Sequence, residues 1–228
     1  MAAKETALTI KRNFPRTAQK FVKEFMNLPT GNVCDAQGRV GALDFRIKPV
    51  SEMSQFCGTA LTVDSGPRDN LAAWAALEFA KPGDIILITT GGHLVSSVVG
   101  DLYVGMAQNA GVAGIVTDGV VRDLPGINDV GIPVFARGLS PNSPQKNGPG
   151  RVGLPIVIGG VSVNAGDIVV GDQDGVVVVA RRTAPAVADG LKAVFAKERK
   201  MEANVKAGMT VPGWLKEAYD AKGVEYMD

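Results

Sequence analysis

Apolar residues fall into two textures along this chain. In the first half, Gly58 to Val63, Ile85 to Thr90, Gly114 to Thr117 and Val134 to Arg137 are runs of strand length, rich in Ile, Val and Thr and apolar on consecutive positions. A strand covered on both faces needs that pattern, whereas one with a solvated face would alternate. Asn70 to Lys81 lies between the first two runs and reads as a helix, so strands and helices alternate and a largely parallel core sheet is expected. In the second half, Ile156–Ile158, Val161–Val163, Ile168–Val170 and Val176–Val179 are short β-rich runs punctuated by glycines. They predict a second β layer or small barrel packed on the first part. The fold class expected is α/β, with a largely parallel core sheet and a β-rich second half.

Helical spacing appears at both ends. Thr17 to Leu28 carries Phe21, Val22, Phe25 and Met26 on one face and stops at Pro29, as an amphipathic helix docked on the body would. Gly31 to Ala36 opens a further helix. Near the C-terminus, a helix is expected from Thr183 as N-cap to Ala207, ahead of Gly208. Its apolar stripe is Val187, Leu191, Val194, Met201 and Val205, and Glu198 fills the one gap. A carboxylate within a buried stripe is costly unless paired, so Glu198 is expected to face a cation or a polar pocket. Glu202, at the margin, competes for that role, and a solvated helix face would account for both. Residues 1–208 read as one domain and 209–228 as an extension. Within the extension, Trp214, Leu215 and Tyr219 suit a short helix, either packed on a neighbouring subunit or loosely held on the surface.

Composition narrows the function classes. With 228 residues, 46% of them hydrophobic, the chain can bury a full core as one domain or a compact pair. The formal net charge is +1 and no basic block or aromatic-basic interleaving occurs, so no nucleic-acid partner is expected. Cys34 and Cys57 lack metal-ligand spacing and suit a reducing cytosol. No signal-type apolar core and no run of membrane-spanning length is present, so a soluble, cytoplasmic protein with no membrane partner is expected.

The candidate chemistry is concentrated in three loops. Gly91-Gly92-His93-Leu94 follows one strand, Gly100-Asp101-Leu102 opens the helix Leu102 to Ala110 that Gly111 can end, and Asp118-Gly119-Val120-Val121-Arg122-Asp123 follows the next strand. A right-handed crossover between parallel strands brings loops of this kind to one sheet edge. Amides at the helix start can hold a carboxylate or phosphate, and Arg122 can supply a bidentate fork to the same anion. Asp101 and Asp123 would repel that anion, and their presence makes sense if a hard divalent cation, Mg²⁺ or Mn²⁺, sits between ligand and protein. Each residue also has a plain reading: Asp101 as an N-cap, Arg122-Asp123 as an exposed ion pair, Gly91-Gly92 as a turn. His93, the only histidine, stands beside this site as a general acid or as a surface group. The loop from Gly138 to Gly150 is long and polar, with the length of a functional loop or of a surface excursion. Lys48 and Lys81 both sit beside prolines rather than in an apolar pocket pattern, which argues against a Schiff-base lysine.

The segments Gly100-Asp101-Leu102, Ala110-Gly111-Val112-Ala113-Gly114 and Asp118-Gly119-Val120-Val121-Arg122-Asp123 resemble the RraA-like family, and the resemblance extends from about Thr30 to Gly208. That family includes metal-dependent pyruvate aldolases acting on 4-hydroxy-4-methyl-2-oxoglutarate and 4-carboxy-4-hydroxy-2-oxoadipate, and non-enzymatic regulators of ribonuclease activity. The resemblance implies a swivelling-type α/β/β sandwich and a homotrimer or homohexamer. It further implies that Asp123 holds the metal and that Arg122 acts in catalysis. The backbone of Gly100, Asp101, Leu102 and Tyr103 would bind substrate, and a glutamate, Glu198, would come across a subunit boundary. Because the regulator branch typically lacks the metal-holding aspartate, Arg122-Asp123 places the chain with the aldolases. The expected activity is cleavage of a 4-hydroxy-2-oxo acid to pyruvate, with oxaloacetate decarboxylation as a related activity. A ribonuclease-regulator type binding protein is the alternative, and a phosphate-binding lyase or hydrolase would use the same helix start.

Overall fold

The computed structural model describes residues 6–228. The chain begins with β1 (Leu8–Ile10), α1 (Gln19–Glu24), α2 (Thr30–Ala36) and β2 (Lys48–Pro49). The central run is β3 (Phe56–Asp64), α3 (Leu71–Ala76), β4 (Asp84–Thr89), α4 (Asp101–Asn109), β5 (Gly114–Thr117), α5 (Leu124–Val130) and β6 (Val134–Ala136). Then follow β7 (Gly150–Val152), β8 (Ile156–Ile158), β9 (Val161–Val163), β10 (Ile168–Asp172), β11 (Gly175–Val179), α6 (Ala184–Lys206) and α7 (Trp214–Lys222).

The parallel core is β3-β4-β5-β6, in chain order. Consecutive order with a uniform crossover hand puts the connecting helices on one face. Accordingly, Leu61, Val63, Ile86, Ile88, Ile115 and Val134 pack with Ala72 and Ala73 of α3, Tyr103 and Val104 of α4, and Ile127 of α5. The alternate residues Ala60, Ile85, Leu87, Val116 and Phe135 point the other way, onto Ile156, Ile158 and Val163 of the β8-β9 hairpin. Burial on both faces is why these strands are apolar at every position rather than every second one.

The second half departs from the expected separate layer. Only β8-β9 forms its own sheet; β10 runs antiparallel to the first half of β3, and β11 extends it. The second half of β3 pairs instead with β7, which carries β1. One edge of a nine-residue strand therefore serves two partners, and α1, α2 and α6 cover the outer side of β10-β11. Among the described residues no barrel closes, and the arrangement is the expected α/β/β sandwich.

Element limits differ where local chemistry intervenes. The predicted helix Thr17 to Leu28 is only Gln19–Glu24, because Asn27 turns into the left-handed region (φ 60°) before Pro29. The helix expected over Asn70 to Lys81 is α3 followed by a 3-10 turn at Leu77–Phe79. Gly111, at φ 78°, ends α4 as predicted. The helix α5 was not anticipated: its sequence, Leu-Pro-Gly-Ile-Asn-Asp-Val, is poor in helix formers and is held by buried Ile127. Helix α7 has no buried residue, and no described helix is long and apolar enough to cross a membrane.

Candidate active site

Beyond the carboxyl ends of β4 and β5 the two loops stay side by side. Val98 N donates to Val120 O (2.9 Å) and Arg122 N to Val99 O (3.2 Å), which sets Gly100 next to the Arg122-Asp123 pair. A cavity of about 130 Å³ lies there, lined by Gly100–Tyr103, Arg122 and Asp123, by Asn70 and Trp74, and by Ser143, Pro144 and Lys146. Gly100 is the N-cap of α4 and Asp101 its first residue, so the cap expected at Asp101 is displaced by one position. Asp101 still serves the helix start, its Oδ1 accepting from Leu102 N at 2.7 Å. A substrate carboxylate seated on the Leu102 amide would have to displace that contact. Tyr103 offers only its backbone, because its ring is buried and its hydroxyl donates to Ala73 O at 3.0 Å. Burial pushes the phenol far above its ordinary range.

Asp123 is held in the left-handed region (φ 61°, ψ 44°) as N-cap of α5. A non-glycine residue there is uncommon, and aspartate is among those that tolerate it. Arg122 Nε lies 3.2 Å from Asp123 Oδ2, and Arg122 Nη1 donates to Ser143 Oγ at 2.6 Å. Both members of the pair are partly exposed, so the contact adds little stability. Its consequence is orientation: a cationic fork and a carboxylate face the α4 N-terminus, whose partial positive charge favours an anion. Gly126, one turn into α5, leaves room for Asp101, whose Cβ would stand 2.7 Å from a side-chain Cβ at that position.

The long loop Gly138 to Gly150 forms one wall. Asn142 O accepts from Ser97 N (3.0 Å) and Ser97 Oγ (2.8 Å). Buried Asp69 accepts from Asn147 N at 2.6 Å, and Asn70 N donates to Gln145 O at 3.0 Å. These bonds hold Ser143 and Lys146 over the cavity. Sequence reasoning singled out the loop but not these two residues, nor Asn70 and Trp74 as cavity residues. Asn70's place at the start of an expected helix was the one local signal.

Other sequence candidates lie elsewhere. Asp118 is buried, with both oxygens engaged by Thr89 Oγ1, Thr90 N and Thr90 Oγ1 at 2.7–3.0 Å, so it braces the loops rather than meeting a ligand. His93 Nε2 accepts from Ser96 N at 3.2 Å, and His93 does not line the cavity. Glu198 is not in a buried stripe: the buried residues of α6 are Ala184, Val187 and Leu191, while Met201 and Val205 are exposed. Glu198 instead lies beside α2, its Oε2 accepting from Asn32 Nδ2 at 2.5 Å, and Glu202 lies with it on an exposed face of α6. A larger cavity of about 790 Å³ lies between Lys11, Phe14 and the start of α6. Its one carboxylate, Asp167, is already spent on the amides of Asn164 and Arg181, both at 2.8 Å. The Arg-Asp pair at the 130 Å³ cavity is therefore the stronger candidate.

Crevices beyond the carboxyl ends of parallel strands are where open α/β sheets commonly bind small molecules, and this cavity, with a helix start and an Arg-Asp loop, lies at such a place. A family model described as RraA-like, Aldolase/RraA, matches residues 30–178. The chain belongs to the RraA-like family. It is 39% identical over 159 residues to a Halalkalibacterium halodurans protein named as a candidate 4-hydroxy-4-methyl-2-oxoglutarate aldolase, a match that spans 70% of this chain and 76% of that one. Among solved structures, an uncharacterized protein from Pseudomonas syringae pv. tomato aligns with a TM-score of 0.75 and 27% identity, over 86% of this chain and 97% of that one. Streptomyces coelicolor RraAS2, described as an unusual member of the RNase ES inhibitor RraA family, aligns with a TM-score of 0.74 and 28% identity, over 84% and 98%. Helix α6, with Glu198, lies outside the residues the family model matches.

Proposed function

We propose that the protein is a divalent-metal-dependent aldolase that cleaves a 4-hydroxy-2-oxo acid, such as 4-hydroxy-4-methyl-2-oxoglutarate or 4-carboxy-4-hydroxy-2-oxoadipate, to pyruvate and a second carbonyl compound. The observation that carries this reading is the meeting of Arg122, Asp123 and the α4 N-terminus at one cavity. The relative named as a candidate aldolase supports it.

Among the described residues no group of three His, Cys, Asp or Glu side chains could cage a metal. The two carboxylates at this open cavity, Asp101 and Asp123, instead fit Mg²⁺ or Mn²⁺, hard ions that keep several waters and take one or two carboxylates plus substrate oxygens. Asp123 would hold the ion. Once bound, it would supply the Lewis acidity that draws electron density from the 2-oxo group.

The chain's own residues account for the remaining steps. Amides from Gly100 to Tyr103 seat the substrate carboxylate at the positive end of α4. Arg122, oriented by Ser143 and Asp123, faces the negative charge that grows on the 2-oxo oxygen as the C3–C4 bond breaks and its electron pair moves toward C3. Asp101, through a water it holds, takes the proton of the 4-hydroxyl group, which becomes the carbonyl of the second product, and the same water returns a proton to C3 of the enolate to give pyruvate. Glu198 of a partner subunit, in a homotrimer or homohexamer, orients that water. The same stabilisation of charge would serve decarboxylation of oxaloacetate.

Pyruvate release from 4-hydroxy-4-methyl-2-oxoglutarate and from oxaloacetate, coupled to lactate dehydrogenase, tests the proposal with added Mg²⁺ and with excess EDTA. Release that EDTA abolishes is expected. A folded, metal-supplied protein that releases none from either substrate would sink it. That result would favour the second reading, a ribonuclease-regulator type binding protein, to which the likeness to the Streptomyces protein points.

A further inference from the structure

The loop that walls the cavity carries one chemically labile dipeptide. Asn147-Gly148 is the only asparagine followed by glycine in the chain, and it directly follows Lys146, a cavity residue. Asparagine is thermolabile. The backbone nitrogen of the next residue can reach its side-chain carbonyl carbon and close a five-membered ring, an approach that any side chain on that next residue hinders. Glycine has none.

The fold holds glycine at this position and leaves the reacting groups free. Gly148 has a φ of 72°, where other residues are strained, and a Cβ on it would fall against Ala7 O. Its N–H donates to no backbone carbonyl among the described residues. Asn147 is exposed, and its Nδ2 donates to Oε1 of Gln145, another exposed side chain, at 3.2 Å. What is anchored is the backbone on either side. Asn147 N donates to Oδ2 of buried Asp69 at 2.6 Å, Gln145 N to Arg68 O at 2.7 Å and Gly150 N to Ala7 O at 3.0 Å.

We propose that Asn147 is a site of spontaneous deamidation and that its conversion to isoaspartate releases the cavity wall. Base takes the proton of Gly148 N as that nitrogen attacks Asn147 Cγ. The N–Cγ bond forms, the Cγ–Nδ2 bond breaks, and Nδ2 takes up a proton and leaves as ammonia. Water then opens the ring at either carbonyl. The product is aspartate or, with the main chain rerouted through the former side chain, isoaspartate. Isoaspartate adds a backbone atom between Asn147 N and Gly150 N, so the bonds to Asp69 and Ala7 cannot both keep their geometry. Either product also sets a new carboxylate beside Asp69, whose own charge opposes it. Ser143 and Lys146 then lose the ties that hold them over the cavity.

Storage of the full-length protein at pH 8, sampled over weeks, tests this. Peptide mass mapping should show Asn147 converting ahead of Asn142, which precedes Ser143 in the same loop. Conversion should be faster at pH 8 than at pH 6, since the attack needs the Gly148 amide deprotonated. Labelling by isoaspartyl methyltransferase should grow in step. Asn147→Gln, whose extra methylene forbids the five-membered ring, should gain no label there. An Asn147 that stays intact in the folded protein while converting in urea would mean that the fold protects it, and the proposal fails.

Converted protein carries one more negative charge and separates by ion exchange. It should melt a few degrees below the unconverted fraction, because Asp69 stays buried without its amide partner. Equal melting would overturn the release of the wall. Pyruvate release, which rests on the aldolase reading, should be lower in the converted fraction. If neither fraction releases pyruvate, that reading has failed, and the mass and melting measurements still decide the fate of Asn147.

Discussion

Gly100 and Asp123 compete for one space: a Cβ on Gly100 would fall against Asp123 Oδ2 and stand 3.2 Å from Arg122 Cγ. Gly100 has extended backbone angles (φ −138°, ψ −169°) that any residue adopts, so glycine is needed there for room and not for conformation. Gly100→Ala should therefore displace the Asp123 carboxylate without disturbing the helix behind it. Pyruvate release should fall by about tenfold or more, as expected when positioning groups move by roughly 1 Å. A thermal melt within a few degrees of the parent would show that the loss is local. Full turnover in this variant would mean that Asp123 need not stay where it is.

Asp123 combines a left-handed backbone with the carboxylate proposed to hold the metal. Asparagine tolerates the same conformation, so Asp123→Asn removes the charge and spares the fold. Its melting curve should stay close to that of the parent. Turnover should drop by at least the roughly 10- to 100-fold that loss of an outer-sphere partner of a metal costs. Mn²⁺ binding followed by electron paramagnetic resonance should weaken in parallel, and unchanged binding would reject Asp123 as the metal-holding residue.

Asp84 is a structural carboxylate, fully buried at the start of β4. It accepts from Arg16 Nε (2.9 Å) and Nη2 (2.7 Å), from Thr59 Oγ1 (2.7 Å) and from Lys81 N (2.9 Å), tying the N-terminal arm to two strands. Asp84→Ala leaves the Arg16 charge and these donors unpaired, and should cost about 3–5 kcal/mol of stability. Urea unfolding is the direct measurement. A loss under about 1 kcal/mol would show that Arg16 finds another partner or reaches water.

Burial pushes the Cys57 thiol up to about 12 from an ordinary value of 9.0. The folded state holds its proton more tightly, so this group's contribution is fully present below pH 9 and is lost as pH rises through about 12. Between those limits the parent protein should lose stability faster than Cys57→Ala, as measured by chemical unfolding at pH 8 and pH 10. Parallel losses would indicate that the thiol is no harder to ionise in the fold than in the unfolded chain. Slow labelling of Cys57 by thiol reagents near pH 8, faster in denaturant, is the companion observation.

The strands of the parallel core and the short β-rich runs of the second half could be read from the sequence because each carries its own signal. Consecutive apolar residues mark a doubly covered strand, and Gly111 marks the end of α4. The proximity of Gly100 to Arg122 and Asp123 was also legible, since a crossover between parallel neighbours has one favoured hand and its loops share an edge. The stripe on α6 misled for the opposite reason. Periodicity records which face is apolar, and in the protomer only Val187 and Leu191 of that stripe are buried, whereas Met201 and Val205 are not.

What the sequence by itself determined is thus the local part: which segments are strands, where α4 starts and stops, and which polar residues follow β4 and β5. Tertiary structure alone decided that β10 pairs with the first half of β3 and β7 with the second, that Asp118 is a brace, and that Asn70, Trp74, Ser143 and Lys146 wall the cavity. Those outcomes join segments tens of residues apart. Such pairings depend on which surfaces remain to be covered once the sheet has formed, and no period or cap along the chain encodes that choice.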